Sequence, residues 1–167
     1  ENIERALSWG RDIMWEQIVV DTGSTDRTVE LAEQLGAKVY HFAWIDDFAA
    51  AKNYACEQAQ GDWIAFLDAD EYMTAEDTEK IYRLLSQIYE KRKPCQGVFT
   101  GWINIDEKGN AFGNDIQMRF FRNRPDIRYV GRIHESLSKG GREWRENELT
   151  DASDTISIYH TGYTDEA

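Results

Sequence analysis

Apolar positions along the first two-thirds of the chain alternate between two periods. Ile3, Ala6 and Leu7 stand at helical spacing and predict a helix that ends near Gly10. Glu16 to Asp21 (Glu-Gln-Ile-Val-Val-Asp) is a short β-branched run, as expected of a buried strand. Thr22-Gly23-Ser24-Thr25-Asp26 then forms a turn rich in capping side chains. It opens a helix carrying Val29, Ala32 and Leu35, which Gly36 is placed to end. Ala37 to Phe42 predicts a second strand. Asp46-Asp47 caps a third helix with Ala51, Ala55 and Ala59 on one face, closed by Gly61. Trp63 to Leu67 predicts a third strand running into Asp68-Ala69-Asp70-Glu71. Ile81, Leu84, Leu85 and Ile88 mark a fourth helix, which Pro94 closes. Strand, helix, strand, helix, strand implies an α/β chain whose first three strands are parallel, with right-handed crossovers.

After Pro94 the texture changes. Gln96 to Asn104 and Asp115 to Arg122 predict strands joined by the turn-rich Asp106-Glu107-Lys108-Gly109-Asn110. Gly140-Gly141 marks a loop, and Thr155 to His160 is a last alternating run. This second half reads as an antiparallel extension of the same sheet. The expected organisation is therefore one domain over residues 1–167, with halves at 1–93 and 94–167.

Composition narrows the function. Apolar residues are 41% of the chain and aromatic residues 13%, enough for a packed core and unlike a disordered chain. With 31 acidic against 19 basic residues, the net charge of -12 opposes nucleic acid as a partner, because phosphate binding needs a basic face. It equally opposes a generally basic membrane-docking surface. No apolar run approaches the roughly 20 residues of a membrane helix. Glu1-Asn2-Ile3-Glu4 has neither a basic start nor an apolar stretch, so no signal peptide is expected there. Cys56 and Cys95 stand apart without a CxxC pattern, which reads as idle thiols in a reducing cytosol rather than a disulfide or zinc framework.

Parallel strands present their carboxyl ends along one edge, where open α/β sheets bind ligands. Two predicted strands end in acid there, at Asp21 and Asp68. Either carboxylate alone can simply cap the next helix. Asp68, Asp70 and Glu71 crowd three carboxylates into one short run, and such crowding needs a counter-charge. A divalent cation with oxygen ligands supplies one economically.

These residues resemble a family. Val19-Val20-Asp21-Thr22-Gly23-Ser24-Thr25-Asp26 is similar to a signature of inverting family 2 glycosyltransferases with the GT-A fold. Ala49-Ala50-Ala51-Lys52-Asn53 resembles that family's "AARN" segment, and Trp63 to Glu71 its strand with Asp-x-Asp. Arg119-Phe120-Phe121-Arg122, Ile133-His134-Glu135 and His160-Thr161-Gly162-Tyr163 add to the likeness, which is greatest to a bacterial subgroup often fused to tetratricopeptide repeats. The resemblance implies a Rossmann-like mixed sheet with helices on both faces. It also implies a nucleotide-sugar-binding half before Pro94 and an acceptor-side half after it.

The resemblance assigns roles by position. Asp21 contacts the base or ribose of the donor, with Ser24 beside it. Lys52 stands where the family has Arg, and Asn53 matches; both are implied nucleotide-sugar contacts. Asp68 sits near the ribose, and Asp70 holds Mg²⁺ or Mn²⁺ on the diphosphate. Glu135 is the implied base that takes the acceptor's proton, with His134 next to it as the alternative or as an ordinary hydrogen-bonded histidine. His160 resembles a late histidine that completes the metal shell, and a strand-end structural bond is the competing reading.

The implied activity is metal-dependent, inverting transfer from a nucleotide sugar, UDP-linked, to an acceptor on a carbohydrate, lipid or protein. The expected location is the cytoplasm or the inner face of the membrane. One departure qualifies this. The family begins with a strand and a loop ending in Lys-Asn-Glu, and this sequence starts at Glu1, just after such a motif. A truncated or non-catalytic nucleotide-sugar-binding module on the same fold is therefore the alternative. A third possibility, a nucleotidyltransferase, needs a Gly-rich basic phosphate loop after the first strand, and the sequence has none.

Overall fold

A computed structural model of the protein describes residues 2–162. Tyr163, the last residue of the His160-Thr161-Gly162-Tyr163 segment, lies outside the described residues. The chain opens with helix α1 (Ile3–Ser8), strand β1 (Ile18–Asp21), helix α2 (Thr28–Gln34), strand β2 (Lys38–His41) and helix α3 (Phe48–Gln58). Each lies where its apolar period predicts it. Gly36, at φ 87°, closes α2 by donating its N–H to the Glu33 carbonyl. Asp47 caps α3 by accepting the Ala50 N–H at 2.9 Å. That helix ends at Gln58 with Ala59 as its cap, so Gly61 serves the turn into the next strand and not the helix end predicted for it.

Strand β3 (Trp63–Ala65), strand β4 (Glu71–Tyr72) and helix α4 (Ala75–Glu90) follow. Then come strands β5 (Gly97–Ile105), β6 (Ala111–Arg122), β7 (Ile127–Val130), β8 (Ser136–Lys139), β9 (Leu149–Asp151) and β10 (Ser157–His160). The main sheet runs β3-β6-β5-β10-β4, with β9 also on β5. Its centre is the long β5–β6 hairpin, turned by Asp106, whose carboxylate accepts the N–H groups of Lys108 and Asn110. Helices cover both faces. Phe120 and Phe121 are adjacent on β6, so they point to opposite sides. Phe120 packs with Ile81 and Ile88 of α4, and Phe121 with Ala49 and Cys56 of α3. Both phenylalanines are fully buried. β7 and β8 form a separate antiparallel hairpin.

The sheet corrects one expectation. β1 and β2 are parallel, as predicted, but they form a pair of their own. β3 joins the main sheet antiparallel to β6, and no ladder links β1 to β3 among the described residues. Instead, a cavity of about 390 Å³ separates them, lined by Val19 and Val20 on one side and by Ile64 and Phe66 on the other. The β-branched run of β1 predicts a buried strand, but Ile18, Val19 and Val20 are only half-buried: α1 and α2 pack on Val19 through Ile3, Leu7 and Ala32, while the strand also lines the cavity. Local periodicity carries no information about which strand lies beside it.

Candidate active site

The ends of β1 and β3 open onto one cleft. Thr22, directly after Asp21, lines the same cavity as Asp68. Asp21 itself is buried and turned into its own loop, where it accepts the N–H groups of Gly23 at 3.2 Å and Ser24 at 3.0 Å. Gly23 has φ 119°, a conformation that favours glycine. Burial pushes the Asp21 carboxyl up, but hydrogen bonds from Ser24, Gly23 and His41 outweigh it and hold the carboxyl below its ordinary value. Ser24 is exposed on the turn.

A chain of ion pairs runs from the cleft into the interior. The Lys52 ammonium lies 3.0 Å from Asp68 Oδ1 and 2.8 Å from Glu135 Oε1. It also sits over the rings of Phe66 and Tyr129. Helix α3 thus delivers one charge that ties the Asp-x-Asp segment to the loop after β7. Arg119 on β6 continues the chain, donating to Asp68 at 3.2 Å and to the fully buried Glu71. Glu71 also accepts the Trp102 indole N–H at 2.7 Å and the Asp68 N–H at 2.9 Å. Burial raises the Glu71 carboxyl above its ordinary value, Arg119 opposes that rise, and the neighbouring Asp68 charge adds to it. Arg119 Nε is buried with no hydrogen-bond partner among the described residues.

Asp70 is held by its backbone, whose carbonyl accepts the N–H and hydroxyl of Thr161. Its Oδ2 lies 3.3 Å from His160 Nε2. Two donors on an octahedral Mg²⁺- or Mn²⁺-sized ion stand about 3 Å apart, so this pair fits such an ion. A Cβ placed on Gly162 would collide with both donors, so the backbone there passes directly against them. Among the described residues no group of three or more His, Cys, Asp or Glu side chains is arranged to hold a metal. Asp70 and His160 are thus two side chains that could share a cation.

Three sequence-predicted residues sit differently from their expected roles. Lys52 directs its charge at two carboxylates, not freely into the cleft. Asn53 spends both ends of its amide on Tyr129: Nδ2 donates to the carbonyl at 2.9 Å, and Oδ1 accepts the N–H at 2.8 Å. It clamps α3 to β7. His134 is exposed at φ 56°, a left-handed conformation uncommon for a bulky residue, and Glu135 rather than His134 faces Lys52. Sequence reasoning assigns no role to Arg119, Trp102, Asn104 or Tyr129. Arg119 stands in the Arg119-Phe120-Phe121-Arg122 segment of the resemblance, and the other three show only a polar or aromatic position within a strand.

Comparison with known proteins bears on this geometry. The family model described as "Glycosyl transferase family 2" matches residues 1–166. A TPR repeat-containing protein of Synechococcus elongatus is 38% identical over 170 residues, covering 98% of this chain and 40% of that protein. The SPbeta prophage-derived glycosyltransferase SunS of Bacillus subtilis is 26% identical, covering 98% of this chain and 37% of that protein. The chain thus spans well under half the length of either relative. Among solved structures, S. aureus TarS superposes with a TM-score of 0.65 at 17% identity, covering 96% of this chain and 34% of TarS. TarS 1-349 in complex with UDP-GlcNAc superposes with a TM-score of 0.57 at 18% identity, over 89% of this chain and 50% of that one.

Proposed function

The chain belongs to glycosyl transferase family 2, and from that premise we propose that it moves a sugar, with inversion, from a UDP-linked donor to an acceptor on a carbohydrate, lipid or protein. The observation that carries this reading is the pairing of the Asp-x-Asp segment with distant residues: Lys52 bridges Asp68 to Glu135, and Asp70 meets His160. The UDP assignment is supported by the TarS relative, crystallised with UDP-GlcNAc and with UDP.

Asp70 and His160 would hold Mg²⁺ or Mn²⁺, which when bound neutralises charge on the departing diphosphate. Asp21 and Ser24 would contact the nucleotide from the turn whose Thr22 lines the cavity. Lys52 holds Glu135 in a fixed orientation through its 2.8 Å ion pair. Glu135 takes the proton from the attacking acceptor group, which makes the acceptor a competent nucleophile. Lys52 contributes to donor binding through Asp68.

A second reading, donor binding without transfer, is favoured by the open gap between β1 and β3, which leaves one wall of the cleft unpaired. Two measurements on the described chain discriminate the readings. A rise in melting temperature with UDP and Mn²⁺ supports donor binding, and release of free sugar from a panel of UDP-sugars supports catalysis. Binding without any sugar release selects the second reading. Neither response to any nucleotide sugar contradicts both.

A further inference from the structure

The metal role of His160 depends on which of its nitrogens carries the proton, and a residue on the neighbouring strand decides that. We propose that Asn104 is a positioning residue that holds the His160 ring by its Nδ1–H and so presents Nε2 to a divalent cation shared with Asp70. The inference rests on the metal-dependent reading above.

Asn104 and His160 are register partners on the parallel strands β5 and β10. His160 Nδ1 lies 2.8 Å from Asn104 Oδ1. A carbonyl oxygen only accepts, so Nδ1 carries a hydrogen, and Nε2 is the nitrogen a cation would take. Nε2 faces Asp70 Oδ2 at 3.3 Å. A positive charge between those two atoms satisfies both, and a divalent cation supplies it. The rest of the ring is equally constrained. Its face stacks on Trp102 at 4.5 Å and 27°, and Trp102 is anchored by its N–H to Glu71. Trp102 thus fixes the plane of the imidazole and Asn104 its rotation within that plane. On β6, Gly113 leaves room for the Asn104 amide: a Cβ there would stand 3.3 Å from Nδ2. Metal-bound histidines commonly donate their second N–H to such an acceptor, and losing it costs about 10–100-fold in metal affinity.

The test uses the whole chain with UDP present, titrated with Mn²⁺ and followed by electron paramagnetic resonance of the free ion. Asn104→Leu removes the acceptor, and Asn104→Asp keeps it. The expected result is about 10–100-fold weaker Mn²⁺ binding in Asn104→Leu, with parent-like binding in Asn104→Asp. Nitrogen-15 spectra of the metal-free parent provide a readout that needs no Asn104 variant to fold. The chain has 3 histidines, and the signals lost in His160→Ala identify His160. They should report a protonated Nδ1. A protonated Nε2 with a bare Nδ1 in the parent overturns the inference. So does parent-like Mn²⁺ binding in Asn104→Leu when His160→Ala binds weakly, a result that leaves the metal site itself standing. If His160→Ala also binds like the parent, the metal reading fails, and the inference falls with it.

Discussion

At the scale of single residues, the Lys52–Glu135 ion pair carries the most consequence. Both side chains are largely buried, at 11% and 15% exposure, so the carboxylate has little freedom to turn away. Glu135→Gln keeps size and shape but cannot take a proton. Steady-state kinetics should give turnover lower by about 10²–10⁴-fold with UDP binding nearly unchanged. His134→Ala, at an exposed position, should stay within a few-fold of the parent. The reverse pattern would move the base to His134. Asp21, Asp68 and Asp70 stand out in the sequence because each follows an apolar run in a short acidic motif. The pairings of Arg119 and Asn104 do not, because their partners Asp68 and His160 lie 51 and 56 residues away. Nothing in the local sequence around Asn104 marks it as an acceptor for a histidine. Only the parallel pairing of two strands makes it one.

At the scale of elements, strong periods held and weak ones did not. Helix α4 appears where its apolar stripe places it, opened by Thr74, whose hydroxyl accepts the Asp77 N–H. Strand β3 is shorter than its apolar run, ending at Ala65. Strand β4 has too few residues to show any period and exists because β10 pairs with it. The β7–β8 hairpin escaped sequence reading, although its leading strand supports the Glu135 loop. That strand is attached to α3 by the two Asn53 hydrogen bonds to Tyr129. Asn53→Leu would leave the Tyr129 N–H and carbonyl without their partner, at a cost of about 1–3 kcal/mol for each group. Urea unfolding should record that loss as a lower midpoint with little change in slope. An unchanged midpoint would mean that α3 and β7 are held together by the Phe121, Ile127 and Cys56 contacts alone. Cys56 itself sits in that core, where burial pushes its thiol up to about 11 and leaves it unreactive at neutral pH.

At the scale of the whole molecule, the class of fold could be read from the alternation of periods, but the sheet order could not. Strand pairing is decided between residues far apart, which is why β3 meets β6 and a cavity lies between β3 and β1. Charge acts at this scale too. The Asp21 carboxyl is held below its ordinary 3.8, as its hydrogen bonds outweigh burial. Glu148 is held below its ordinary 4.5 by Arg142 and Lys139, and Glu16 below 4.5 because Lys38 and the Gln60 N–H outweigh burial. A lowered folded value means that the unfolded chain binds protons first. Those contributions are therefore present above the ordinary values and lost as pH falls through the folded ones. Glu71, raised by burial, acts in the opposite sense, but it is one group against three. The melting temperature should fall steadily between about pH 5 and pH 3, and a flat profile would contradict these placements. No helix of the described residues is long and apolar enough to cross a membrane. The central claim is that Asp70 and His160 complete a metal site only together with a nucleotide diphosphate. Calorimetric titration of UDP, with and without Mn²⁺, into the parent and into Asp70→Ala tests it most directly. The account predicts that Mn²⁺ tightens UDP binding to the parent and that Asp70→Ala retains only the metal-independent part. Identical titrations of parent and variant in the presence of Mn²⁺ would contradict it.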